Sequence, residues 1–324
     1  MPILREILEN NQVRIYFGAA VLGVIAAFIF SGTTALEIGI NPALALMLFV
    51  TFLQVPLAEL RLAFSRFRFL GVLLLTNFVV IPVLVGVLVQ FLPPDPMVRL
   101  GVLLVLLAPC IDYIVTFSHL GRADARLLLA ATPTLLIVQI LLLPIYLGLF
   151  LGPAAGSLIR TEPFVQAFVW LIAGPLVLSV LVQVWADRSA AGARASSVLE
   201  LLPVPATALV LFVVVAAVVP QLGPALDATF LVVPIYVAFA VVAPLAGWAV
   251  SRLFRLDAPA GRAVAFSAAT RNSLVVLPLA LAVPGAVPLL PAIIVTQTLL
   301  ELMSELVYVR LAPRFGSNKA ASAT

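Results

Sequence analysis

Residues 97–120 read MVRLGVLLVLLAPCIDYIVTFSHL, an apolar run interrupted near its middle by Pro109, Cys110 and Asp112. A helix needs about 20 apolar residues to cross a bilayer, and this run has that length. Inside it, a proline removes a backbone donor and clashes with the preceding turn. A carboxylate at the centre of a membrane helix costs about 2.5–3.5 kcal/mol. A soft ligand beside a costly charge, at a helix break in lipid, reads as a site.

Outward from this segment the same texture fills the chain. Of 324 residues, 64% are hydrophobic and 10% charged, and the mean hydropathy is +1.23. Soluble domains are roughly 45–50% apolar and about 25% charged, so the composition is that of an integral membrane protein. Apolar runs between charged or Pro/Gly-rich breaks predict ten all-α spans, at about 15–31, 40–58, 69–92, 98–118, 125–151, 164–186, 199–220, 229–251, 262–284 and 288–311. The connectors are short, which makes residues 1–324 a single polytopic membrane domain. The N-terminal MPILREILENNQVR is amphipathic and has no small-residue cleavage pattern, so no secretory signal is read. One cysteine excludes an intrachain disulfide.

Basic residues alternate sharply between the two sets of connectors. One set carries Arg61, Arg66, Arg68, Arg122, Arg126, Arg188, Arg194, Arg252, Arg255 and Arg262, and the termini add Arg5, Arg14, Arg310, Arg314 and Lys319, fifteen of the eighteen in all. The opposite connectors hold Arg99 and Arg160, while Arg271 lies inside a span. By the positive-inside rule the basic side and both termini are cytoplasmic, in a multi-pass protein of the cell membrane. The net charge of +4 therefore reports topology and points to no nucleic-acid partner.

Spans one to five and six to ten overlay as two halves of opposite orientation, repeat one at about 15–151 and repeat two at about 164–311. The irregular members correspond. The fourth span breaks at Pro109, and the ninth runs Ser267-Ala268-Ala269-Thr270-Arg271-Asn272-Ser273 before resuming as an apolar helix. Interrupted segments at matching places in inverted halves point to a transporter's midplane site. Freed N–H and C=O groups cannot be satisfied by hydrocarbon, whereas a solute or a wet cavity can satisfy them.

Asp112, Arg271, Glu301 and Glu305 are the ionisable residues read at membrane depth. Left alone, the four would forfeit on the order of 10 kcal/mol. Asp112 with Arg271 reads either as a static ion pair between helices or as part of a site; three carboxylates facing one arginine leave at least one protonated or hydrated. Gln297, Glu301 and Glu305 follow at four-residue spacing, which puts them on one helix face. A carboxyl group that moves between an apolar pocket and a guanidinium changes its proton affinity. Glu301, near the middle of the tenth span, is the candidate for binding and releasing a proton; Glu305, one turn nearer the cytoplasmic end, reads either as an interfacial carboxylate paired with Arg310 or Arg314 or as a residue with a transport role.

Cys110 by itself reads as a buried core thiol, and its position at the break beside Asp112 adds the site reading. Thr132 and Gln139 share one face of the fifth span, either bonding neighbouring helices or supporting the site. His119 falls at the cytoplasmic end of the fourth span, where it reads as a solvated loop residue in preference to a proton relay. There is no P-loop, HExxH, GxSxG or cysteine pair, so neither an enzyme nor a cofactor is read.

The ten-span layout, with PCIDY at 109–113, SAATRNS at 267–273 and LLELMSE at 299–305, resembles the bile acid:sodium symporter superfamily, in particular its arsenite-efflux permease branch. The resemblance implies a core domain with crossed, broken fourth and ninth spans and a panel domain of about four helices. It implies Cys110 and Glu301 as the functional pair. Sodium-binding Glu and Gln of the bile-acid branch fall on Ser267 and Arg271, and a Ser-Asn pair falls on Ile114 and Val115. Because hard cations need several oxygen ligands, the protein is expected to work without sodium, with the Arg271 guanidinium standing where such an ion would. The arsenite branch more often has Asn-Asn where this chain has Arg271-Asn272.

Trivalent arsenic prefers thiolate, and a single thiol makes one reversible bond. The expected activity is arsenite, or antimonite, export by proton antiport: Cys110 binding arsenic(III) as substrate, Arg271 and Asn272 completing the substrate site, Glu301 and Asp112 coupling protons, and Thr132, Ser267 and Gln297 in support. An organic-anion carrier, with Arg271 binding a carboxylate or sulfate, is the alternative within transport. A membrane sensor that binds a solute without moving it is the alternative outside it.

Overall fold

In hydrocarbon every backbone polar group must be satisfied within its own segment or by a protein neighbour, and uncharged Leu/Val/Ala/Ile runs answer that constraint as helices. The computed structural model describes residues 2–54, 66–110, 113–152, 166, 169–221 and 223–316. All regular elements among them are helical. In chain order they are α1 (Pro2–Ile29), α2 (Ile40–Leu53), α3 (Phe67–Val89), α4 (Pro96–Leu106), α5 (Ile114–Leu120), α6 (Ala125–Leu151), α7 (Gly174–Arg188), α8 (Ala190–Leu199), α9 (Pro203–Val218), α10 (Leu226–Leu253), α11 (Ala258–Ala269), α12 (Ser273–Leu281) and α13 (Leu289–Leu311).

Seven helical stretches among the described residues are long and apolar enough to cross a membrane, and large apolar side chains stand exposed on their outer faces. Phe28 is 80% exposed, Leu149 73% and Phe230 70%. The chain is a multi-pass membrane protein. The count falls short of ten because the predicted fourth and ninth spans are each two shorter helices, α4 with α5 and α11 with α12. The start of the predicted sixth span lies outside the described residues.

One boundary differs for an electrostatic reason. The first helix begins at Pro2 and not near residue 15, so the amphipathic segment forms its opening turns. Arg5 pairs there with Glu9 at 2.7 Å and with Glu200 at 3.0 Å, which ties the polar turns of α1 to the end of α8. In the predicted third span, α3 loosens into a π turn at Thr76–Val80; Tyr146 on α6 donates its hydroxyl to the Phe78 carbonyl there. Such turns recur at functional sites, and Asn77 sits in this one.

The helices pack as two groups. In one, α1 lies along α9, α9 along α2, and α2 along α7 and α8; in the other, α10 lies along α11, α13 packs on α4, α10 and α12, and α5 and α6 close the side. Gly247 lets α10 approach α11 closely, since a Cβ there would lie 2.7 Å from the Ala268 Cβ and 3.0 Å from the Ala265 Cα. Gly247→Ala is expected to destabilise the fold by about 1–3 kcal/mol through overpacking, read as a lower unfolding temperature in detergent. Gly18→Ala, where a Cβ meets nothing within 4 Å, is the control and should be neutral or stabilising, alanine being favoured over glycine in a helix by about 1 kcal/mol.

Candidate functional site at the crossing of two broken helices

Helix α4 stops at Leu106 before Pro109, and α11 stops at Ala269. The two interruptions lie side by side. Pro109 and Arg271 form an antiparallel bridge, in which the Cys110 amide donates to the Thr270 carbonyl at 3.1 Å and the Asn272 amide donates to the Ala108 carbonyl at 2.7 Å. Each break thus satisfies backbone groups freed by the other, the requirement for irregular backbone at membrane depth.

Arg271 is fully buried. Its guanidinium donates to the Leu106 carbonyl at 3.3 Å, the Asn77 Oδ1 at 2.9 Å and the Ala268 carbonyl at 2.7 Å, and also to the Ser267 carbonyl. Three of these oxygens belong to the C-terminal ends of α4 and α11, where unsatisfied carbonyls carry partial negative charge. The Phe239 ring lies 5.5 Å from the guanidinium carbon, adding a cation–π contact. Asn77 completes the cage by donating its amide to the Ser267 hydroxyl at 2.9 Å.

Glu301 grips the crossing from α13. Its carboxylate accepts the Tyr113 hydroxyl at 2.6 Å, the Gln297 amide at 2.5 Å and the Arg271 backbone N–H at 2.8 Å. One turn further on, Glu305 is fully buried and accepts the Thr270 hydroxyl at 2.5 Å. This corrects the interfacial reading: Glu305 faces inward because the four-residue spacing keeps it on the Glu301 face. Thr298, on the same helix, donates to the Ser273 hydroxyl at 2.9 Å and so holds the start of α12.

Most of the expected site residues meet here. Cys110 is 1% exposed and close enough to Arg271 for an electrostatic interaction. Asn272 is equally buried, and both polar atoms of its amide lack a hydrogen-bond partner among the described residues, as do the Arg271 Nε and the Gln297 Oε1. Buried groups left open in this way mark a place for a ligand or water. Ser267 and Gln297 belong to the cluster through Asn77 and Glu301. Thr132 is bound instead to the Leu128 carbonyl of its own helix at 3.1 Å, and His119 is exposed at the end of α5. Asp112, the expected partner of Arg271, lies outside the described residues.

Asn77 and Tyr113 escaped the sequence reading. Asn77 is a polar residue in the middle of an otherwise apolar run, and that was the available signal. Tyr113 borders a cavity of about 330 Å³ between the two helix groups, along with Arg5, Gln12, Thr116 and Arg126. The cavity walls are bridged by the Thr116 hydroxyl donating to the Gln12 side chain at 2.8 Å. Tyr113 therefore touches both the cavity and Glu301. The arrangement supplies a soft nucleophile, a fixed cation, an open amide and a carboxyl group within one buried cluster.

The model of one protein family, the Sodium Bile acid symporter family, matches residues 41–226, more than half of the chain. No curated protein matches it.

Removing the Asn77 amide leaves a buried guanidinium short of a charge-assisted hydrogen bond, which costs about 1.5–3 kcal/mol. Asn77→Leu is expected to lower the unfolding temperature of the purified protein accordingly. Asn77→Asp, which keeps an acceptor on the guanidinium, should lose less.

Proposed function

The chain belongs to the sodium bile acid symporter family, and from that membership we propose that this membrane transporter exports arsenite, with antimonite as related cargo, by proton antiport without sodium. The observation that carries the reading is the single thiol, Cys110, buried at the helix crossing one residue from the Pro109–Arg271 bridge. Arsenic(III) is thiophilic. Arsenous acid and the thiol condense to a sulfur–arsenic bond with loss of one water, and hydrolysis returns both. One such bond holds the cargo and still lets it leave.

The remaining roles follow from chemistry at the crossing. The open amide of Asn272 bonds the arsenic hydroxyls. Arg271 supplies positive charge that favours thiolate and oxyanion character. Glu301 carries the exchanged proton, with Asp112 as its second coupling group. Ser267 and Gln297 support the site through Asn77 and Glu301, whereas Thr132, bonded to the Leu128 carbonyl of its own helix, has no part in it. The architecture we propose is ten spans in two inverted repeats, at about 15–151 and 164–311, with both termini cytoplasmic in the cell membrane. The group of α1, α2, α7, α8 and α9 acts as the panel and the other group as the core.

Sodium independence is supported by the Arg271 cage. A hard cation needs several oxygen ligands, and the oxygens of Leu106, Ser267, Ala268 and Asn77 are already committed to a guanidinium. A second reading, an organic-anion carrier, is favoured by the cavity of about 330 Å³ with Arg5 and Arg126 in its lining. That volume lies in the range of small-molecule pockets, about 300–1,000 Å³.

Everted vesicles separate the two readings. Arsenite accumulation should require a proton gradient, ignore sodium and vanish in Cys110→Ser. Unchanged accumulation in that variant removes the thiol from the mechanism, and sodium-driven taurocholate uptake by the parent overturns the assignment. Arg271→Ala should lose transport and regain part of it with millimolar guanidinium, which can re-enter the vacated cage. Failure of guanidinium to restore either transport or thermal stability counts against Arg271 as a resident cation.

A further inference from the structure

Away from the crossing, three arginines converge on one recess at the polar ends of two spans. Arg66 and Arg68 flank the start of α3, Arg255 follows the end of α10, and with Asp257 they line a cavity of about 380 Å³. The two connectors are tied together by Arg68, which donates to the Phe254 carbonyl at 2.8 Å. None of the three arginines forms an ion pair among the described residues. Neighbouring Arg252 is engaged elsewhere, 5.8 Å from the Trp248 ring centre. Among the described residues the recess thus holds three cationic groups against one carboxylate.

The backbone at Arg255 bears on why the charge is there. Its φ is 53°, in the left-handed region, and it ends α10 with the Arg255 amide on the Arg252 carbonyl and the Leu256 amide on the Ser251 carbonyl, both at 3.0 Å. That is the Schellman ending, whose left-handed position is ordinarily glycine. An arginine at this position keeps its charge at the expense of backbone comfort, as Arg122, with φ 56°, does after α5. Orienting a membrane protein needs only basic connectors; it needs neither a recess nor a strained arginine.

The surroundings are those of a lipid boundary. Phe67, between Arg66 and Arg68, is 74% exposed, and Leu253, two residues before Arg255, is 78% exposed. Cationic forks therefore stand next to side chains suited to acyl chains. Guanidinium groups bind phosphate oxygens in a planar, two-pronged fashion, and juxtamembrane basic pockets attract anionic headgroups. We infer that this recess binds the phosphate headgroup of an anionic phospholipid in the arginine-rich leaflet. The inference is independent of the transported cargo.

The test uses the full-length chain in nanodiscs of phosphatidylcholine, with or without phosphatidylglycerol, read by native mass spectrometry of retained lipid and by thermal unfolding. Phosphatidylglycerol should be retained in preference to phosphatidylcholine by roughly tenfold and should raise the unfolding temperature. The combined Arg66→Gln, Arg68→Gln, Arg255→Gln variant should lose both effects. Arg255→Gly alone guards against misfolding as an explanation: glycine suits the left-handed turn, so stability in phosphatidylcholine should hold or rise while the phosphatidylglycerol preference falls. The inference is overturned if the triple variant keeps the preference, or if Arg255→Gly keeps it in full. It is also overturned if millimolar inorganic phosphate in phosphatidylcholine discs gives the same stabilisation, since the site would then be one for a free anion.

Discussion

A guanidinium buried in the interior of a membrane protein needs oxygen acceptors on its donors, and two interrupted helices need donors for their freed carbonyls. Arg271 joins these needs. Its side chain collects the C-terminal carbonyls of α4 and α11 together with Asn77, while its backbone joins the bridge to Pro109. Neither break is tolerable alone, because hydrocarbon offers the loose groups no partner. Together they form a small polar island whose members answer one another. The π turn in α3 belongs to this solution, since it carries the amide that fills the side of the cage the half-helices leave open.

Helix α13 holds the island from the other side. Glu301 takes the backbone N–H of Arg271 and Glu305 the hydroxyl of Thr270, so adjacent residues of one break are gripped by carboxyl groups one turn apart. Glu301 also holds Tyr113, which borders the cavity between the two helix groups. On the proposed mechanism this makes the carboxyl group a point of exchange. A proton arriving at Glu301 changes its hold on the second half of the fourth span and on the arginine at once, so chemistry at the crossing and the state of the cavity are linked through one side chain.

Much of the scaffold was legible along the chain. The fifth predicted span, 125–151, coincides with α6, and the tenth, 288–311, begins one residue before α13. Pro109 and the polar run through Arg271 and Asn272 marked both helix breaks, although proline alone does not end a helix here: Pro133 and Pro144 lie inside α6, and Pro234 and Pro244 inside α10. The shared face of Gln297, Glu301 and Glu305 followed from helical spacing, and all three prove buried. What misled was the assumption that a carboxylate near a helix end seeks the nearest arginine. Glu305 instead turns inward to a hydroxyl 35 residues back in the chain.

From the sequence alone came the membrane class, the helical spans, the two interruptions and the residue types that make a reactive site, since hydropathy and helical period are properties of neighbours along the chain. Only the tertiary structure decided who partners whom. Asn77 reaches Arg271 across 194 positions, and Tyr113 reaches Glu301 across 188. No local pattern encodes such pairs. They are selected by the requirement that each buried polar group find a partner in the packed protein, and that requirement can be evaluated only once the helices have met.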